Sequence, residues 1–181
     1  MLESSKGVIL LDRDGVLNVD RIDSVKSVGE LALESGAVEA TALLNAAGYR
    51  LVVITNQSAV GRGWLDQAAS DTINDELNRR LGGTISSFFV CPHAPDEACA
   101  CRKPGTLLFE LAQDTWEFDP GQTWFVLDAE RDLEAARKFG CRPALVRTGK
   151  GRETESRHPD VPAFDDVLGF ASWLLADRVA S

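Results

Sequence analysis

Long apolar runs are missing from this sequence. None approaches the roughly 20 residues that a membrane-spanning helix needs. The opening residues, MLESSKG, contain no apolar segment of the kind that drives secretion, so a cytoplasmic location is expected. An excess of positive charge is missing too. Nineteen lysines and arginines stand against 28 acids, a formal net charge of −9. That balance argues against broad attraction to nucleic acid or to an anionic membrane. A small phosphorylated ligand stays compatible with it, because a few local cations offset the global field. Cysteine is sparse, and three of the four cysteines fall within eleven positions. In a reducing compartment such clustering points to a metal rather than to disulfides. Internal repeats, low-complexity tracts and interdomain linkers are also lacking. The 181 residues are enough for one domain with a full core, and a monomeric single domain over residues 1–181 is expected.

Short apolar runs alternate with amphipathic ones. Strands are predicted at Val8–Asp12, Arg50–Thr55, Ile85–Val90, Thr123–Leu127 and Pro143–Arg147, each apolar enough to be buried on both faces. Helices are predicted near Gly36–Ala47, Gln67–Leu81, Thr106–Thr115, Ala129–Phe139 and Asp166–Arg178. Gly48 and Gly140 fall just past two of them, where a helix end favours glycine. Asp66 or Ser70 is positioned to cap another. The polar segment Gly149–Pro162 reads as a surface loop. The fold class is therefore α/β, a doubly wound and mainly parallel sheet with helices on both faces.

The run GVILLDRDGVLN, from Gly7 to Asn18, carries the most information. Its apolar strand ends in Asp12 and Asp14, and Gly15 permits a sharp turn. In an open α/β sheet, ligands bind outside the carboxyl ends of the strands. Two carboxylates there can hold Mg²⁺, and one of them can attack phosphorus. The second strand ends in Thr55, Asn56, Gln57 and Ser58, whose hydroxyl and successive N–H groups can hold phosphate oxygens. Lys103, in Arg102-Lys103-Pro104, can offset charge in a phosphoryl-transfer transition state. Arg102 offers a planar fork for phosphate or sugar. The fourth strand ends at Asp128, a further Mg²⁺ ligand beside Asp12 and Asp14. Asp132, one turn on, reads equally as an orienting acid and as an exposed helix residue. About twenty residues separate the first motif from the first helix, too few for a cap domain. The site should be open, walled by loops that include Asp20 and Asp23.

Cys91, His93, Cys99 and Cys101 lie in one loop. Three thiolates and one imidazole suit a closed tetrahedral Zn²⁺ site with a structural role. That zinc loop, residues 91–103, would also fix Arg102 and Lys103. Cys141 reads as a packing residue, and His158 as a solvated one.

Asp12-x-Asp14, Thr55, Lys103 and Asp128 together resemble the four motifs of the haloacid dehalogenase superfamily. The order LDRDGVLN, VKS, TNQSAVGRG, CPH-x5-C-x-C-RKP and LVRTGKG, over residues 7 to 152, is similar to its bacterial heptose-1,7-bisphosphate phosphatase branch. The resemblance implies Mg²⁺-dependent removal of the 7-phosphate in making the heptose of the lipopolysaccharide core. Asp12 would be the nucleophile and Asp14 the proton donor, with Thr55 and Lys103 holding the phosphoryl group. Asp20, Asp23, Asn56, Gln57, Ser58, Arg62 and Arg102 would meet a small phosphorylated sugar, with the Arg147–Lys150 loop beside them. Leu127 stands where the superfamily usually has glycine, and is expected to add bulk near the site. Ala129 stands where a polar residue is common. The zinc-loop spacing also fits histidinol-phosphate phosphatases. Polynucleotide 3′-phosphatases share two motifs but fit neither the charge nor the zinc loop, and a non-catalytic binding module is a more distant alternative.

Overall fold

Gly7–Leu11 forms strand β1, and everything else is arranged about it. The structure is a computed structural model that describes residues 6–177. The later strands are β2 (Tyr49–Asn56), β3 (Ile85–Cys91), β4 (Trp124–Leu127), β5 (Arg142–Val146) and β6 (Ala163–Phe164). They build one sheet in the order β3-β2-β1-β4-β5-β6, with every pairing parallel. The chain leaves β1 for β2 on one side and later returns to β4 on the other. The carboxyl ends of β1 and β4 are thus neighbours at the point where strand order reverses, which is where α/β sheets bind ligands.

Seven α-helices join the strands: α1 (Ala37–Ala46), α2 (Ser58–Gly61), α3 (Gln67–Arg80), α4 (Leu107–Trp116), α5 (Glu130–Phe139), α6 (Gly151–Arg157) and α7 (Val167–Asp177). Asp66 caps α3 by accepting from the Ala69 N–H at 2.8 Å, whereas Ser70 lies inside that helix. The predicted end of the last helix, Arg178, lies outside the described residues. The segment Gly149–Pro162 differs from expectation: it holds α6, and β6 follows it. Gly-Arg-Glu-Thr-Glu-Ser-Arg has no apolar stripe, so nothing in its periodicity marks a helix. Only Gly151 and Thr154 of α6 are buried.

Alternate residues of each buried strand feed opposite faces. Ile9, Leu11, Leu51, Val53, Val126 and Val146 pack with α1, α3 and α7. Val8, Leu10, Val52, Ile54, Phe125 and Leu127 pack with α4 and α5. Cys141 is buried in this second core, as expected. Leu127 also points into it and is fully buried, so its bulk fills the core and does not crowd the site. Among the described residues, no helix is long and apolar enough to cross a membrane.

Candidate active site

Four side chains meet beyond the carboxyl ends of β1, β4 and the zinc loop. Asp12, Asp128 and Asp132 bring carboxylate oxygens within 4.8 Å of one another. Lys103 lies among them, its Nζ 2.7 Å from Asp12 Oδ1, 2.9 Å from Asp132 Oδ1 and 2.8 Å from the Ile54 carbonyl. All four are buried. Three acids facing one ammonium leave the cluster short of positive charge. Burial, opposed by Lys103 and reinforced by Asp132, raises the Asp12 carboxyl to about 6. Burial, with repulsion from Asp12 and Asp132, raises Asp128 to about 8. Burial lowers the Lys103 ammonium, but Asp12 and Asp132 outweigh it and leave it above its ordinary range. A divalent cation among oxygen ligands would relieve this imbalance, so the donor set fits Mg²⁺.

Backbone without side chains holds Asp128. Its Oδ2 accepts the Lys150 N–H at 2.8 Å. Gly15 and Gly149 pack against the same oxygen, where a Cβ would stand 2.3 and 2.2 Å away respectively. Both also have positive φ, +85° and +53°. Thr148 Oγ1 donates to the Gly15 carbonyl at 2.6 Å, tying the β5–α6 loop to the first motif.

The Asp14 carboxylate is not part of the acid cluster of Asp12, Asp128 and Asp132. It accepts from Arg13 at 3.0 Å, Asn18 at 2.9 Å and Gln57 at 2.7 Å. Burial pushes its pKa up, but Arg13 and these hydrogen bonds hold it below the usual carboxylate range. Gln57 also donates to Thr55 Oγ1 at 2.8 Å, joining the two motifs. Lys103 is fixed through its backbone: its N–H donates to Asn56 Oδ1 at 3.0 Å and its carbonyl accepts from Asn56 Nδ2 at 3.2 Å.

The second cluster is Cys91, His93, Cys99 and Cys101, in the loop expected to hold zinc. Cys91 Sγ lies 3.8 Å from Cys99 Sγ and 3.2 Å from Cys101 Sγ, and His93 Nδ1 lies 3.5 and 3.2 Å from Cys91 and Cys101. None of the four cysteines is in a disulfide. Zn–S bonds of about 2.3 Å imply tetrahedral S···S edges of about 3.8 Å; the Cys91–Cys99 pair matches that edge, and the Cys91–Cys101 pair is closer than it.

The family model described as HAD-hydrolase-like matches residues 100–169. The D-glycero-beta-D-manno-heptose-1,7-bisphosphate 7-phosphatase of Neisseria meningitidis serogroup A is 38% identical, over 96% of this chain and 97% of that protein. The Pseudomonas aeruginosa protein of the same name is 39% identical, over 94% of this chain and 99% of its own length. This chain belongs to the heptose-1,7-bisphosphate 7-phosphatase family. The crystal structure of the Bordetella bronchiseptica D,D-heptose 1,7-bisphosphate phosphatase, complexed with magnesium and phosphate, is 37% identical. It superposes with a TM-score of 0.90 over 94% of this chain and 99% of that one.

A cleft of about 180 Å³ lies beside the acid cluster, with Lys150 and Arg131 in its wall. Asp14, Asp20, Asn56, Gln57, Ser58 and Arg102 line it, as the sequence predicts. Asp23 and Arg62 do not. Asp23 pairs with Lys26, and α2 carries Arg62 to where its guanidinium lies 5.1 Å from the Trp64 ring centre. Arg147 is taken by Glu155 and Asp165, leaving Lys150 as the cation from its loop in the cleft. Two residues, Arg131 and Arg13, escaped the sequence reading, and Asp132 was left open between an orienting and an exposed acid. Asp132 is buried against Lys103 instead of exposed. Arg131 lines the cleft. Arg13 is 1% exposed and donates to Asn74 Oδ1 of α3 at 2.8 Å, anchoring the catalytic turn from below. A charged residue after a strand was the one available sign of Arg13; its burial depends on where α3 packs.

Proposed function

We infer that this chain is a Mg²⁺-dependent phosphatase that removes the 7-phosphate of D-glycero-D-manno-heptose 1,7-bisphosphate. The observation that carries this reading is the convergence of Asp12, Lys103 and Asp128 at the sheet switch point, in a chain that matches the family over nearly its whole length. Asp12 attacks phosphorus in line; its O–P bond forms as the bond to the sugar oxygen breaks. Lys103 holds Asp12 Oδ1 in place and offsets charge on the phosphoryl oxygens. Thr55 and the N–H groups after it cradle those oxygens. Asp14, once protonated, gives its proton to the departing sugar oxygen. Its ionised form then takes a proton from the water that opens the aspartyl-phosphate. In the free site Arg13, Asn18 and Gln57 favour that ionised form, which suits the second step. Asp12 and Asp128 would hold Mg²⁺, which when bound supplies positive charge against the phosphoryl oxygens. Cys91, His93, Cys99 and Cys101 would hold a structural Zn²⁺ that keeps Arg102 and Lys103 in register.

Phosphate release from the heptose bisphosphate and from histidinol phosphate tests the reading. A strong preference for the bisphosphate is expected, beginning with the β-anomer for which the Neisseria and Pseudomonas relatives are named. A preference for histidinol phosphate would overturn it. Asp12→Asn should keep the fold and lose turnover by at least about 10⁴-fold.

A further inference from the structure

Four cationic side chains line the mouth of the cleft: Arg21, Arg102, Arg131 and Lys150. Three are already engaged. Lys150 Nζ donates to Asp20 Oδ2 at 2.6 Å. Arg21 Nε lies 3.3 Å from Asp23 Oδ1. Arg102 donates to the His93 carbonyl at 3.3 Å. Arg131 differs from them. Its guanidinium makes no hydrogen bond among the described residues, and its Nε is buried without a partner. The Asp132 carboxylate lies 3.9 Å away, beyond hydrogen-bond reach. Ala129, the residue after Asp128, brings no polar group to this side of the cleft. Arg131 therefore presents a planar set of N–H donors, matched to a phosphate in a two-pronged grip, with no hydrogen-bond acceptor among the described residues and only a long ion pair to Asp132.

Its depth separates it from the chemistry. The side chains of Asp12 and Lys103 are 3% and 1% exposed, whereas that of Arg131 is 39% exposed. An anion held by Arg131 thus sits at the rim, while the phosphoryl group under attack sits on the floor. We propose that Arg131 is a specificity-determining residue that grips the phosphate the enzyme does not cleave. The inference rests on the bisphosphate reading above. Two anion positions, one buried and one more exposed, are what a doubly phosphorylated sugar requires, and the acidic chain supplies the second through a guanidinium that only a 3.9 Å ion pair to Asp132 engages.

Calorimetric titration of the Mg²⁺-loaded protein with each reaction product tests this, because neither product turns over. Heptose 1-phosphate carries only the uncleaved group; inorganic phosphate reports the floor. Arg131→Ala should weaken heptose 1-phosphate by about tenfold or more relative to its effect on inorganic phosphate. Arg131→Lys, which keeps the charge but loses the fork, should recover part of that loss. Equal weakening of both products would place Arg131 at the transferred group and overturn the proposal. Unchanged binding of heptose 1-phosphate would overturn it as well. A wild-type protein that hydrolyses other monoesters but not the heptose bisphosphate would sink the substrate reading itself, and this inference with it.

Discussion

Lys103 is the residue on which the site turns, and Asp132 is the neighbour that reveals how. The ammonium is shared between Asp12 Oδ1 at 2.7 Å and Asp132 Oδ1 at 2.9 Å. Asp12 faces phosphorus in the proposed reaction, so Asp132 steadies the lysine from behind. Asp132→Asn keeps the size and removes the charge. We expect kcat to fall on the order of 100-fold, the loss associated with small misplacements of reacting groups. Repulsion on Asp128 should fall at the same time, so metal-free melting should depend less on pH in the variant. Asp12, Asp14, Thr55, Lys103 and Asp128 were legible because each sits at a strand end or inside a short motif whose chemistry dictates the residue type. Asp132 was not. An acid on the first turn of a helix is common with or without function, and its burial is decided by how α5 docks on the sheet.

Elements, rather than single side chains, set the position of Asp128 and of Lys103. The β5–α6 loop reaches across to the first motif and packs bare backbone against the Asp128 carboxylate. Gly149→Ala would put a Cβ 2.2 Å from Asp128 Oδ2, at a φ of +53°. The carboxylate must move. Turnover should fall by about 100-fold or more, while the melting temperature drops by only a few degrees, as for a loss of about 1 kcal/mol. Steady-state kinetics and a thermal melt separate the two effects. The zinc loop acts likewise on Lys103, two residues past Cys101. Cys99→Ser should remove most bound zinc by elemental analysis and raise amide exchange across residues 91–103, with activity falling too. Five of the six strands and the long helices were readable from apolar periodicity; β6, two residues long, went unread. The helix α6 was not, because its register is fixed by tertiary contact at Gly151 and Thr154 and leaves no apolar stripe.

At the scale of the whole molecule, the sheet gathers acids that repel one another in a chain already at −9. Asp12 and Asp128 have pKa values raised to about 6 and about 8, against 3.8 for an ordinary aspartate. Between pH 4 and 8 the metal-free native state therefore binds more protons than the unfolded chain. Stability of the metal-free protein should fall as pH rises through that window. Mg²⁺ binds the ionised forms, so its stabilising effect should grow over the same range. Melting curves at pH 5 and pH 8, with and without millimolar Mg²⁺, check this; an equal gain at both values would contradict it. The doubly wound parallel architecture followed from alternation of strands and helices, and so did the end of the sheet that carries the site. The acid count at that end did not, since it depends on which side chains the fold turns inward.

Lys103 stands two residues past Cys101, so the loop of sulfur and imidazole donors runs directly into the lysine that the nest of carboxylate oxygens surrounds. They differ in chemical hardness. Thiolates prefer soft and borderline ions, whereas carboxylates prefer hard ones. The two donor sets would sort two cations by polarisability, one on each side of Lys103. A thiophilic ion such as Cd²⁺ should enter at the cysteines and leave the carboxylates to Mg²⁺, which would make the two centres separately addressable in one folded molecule.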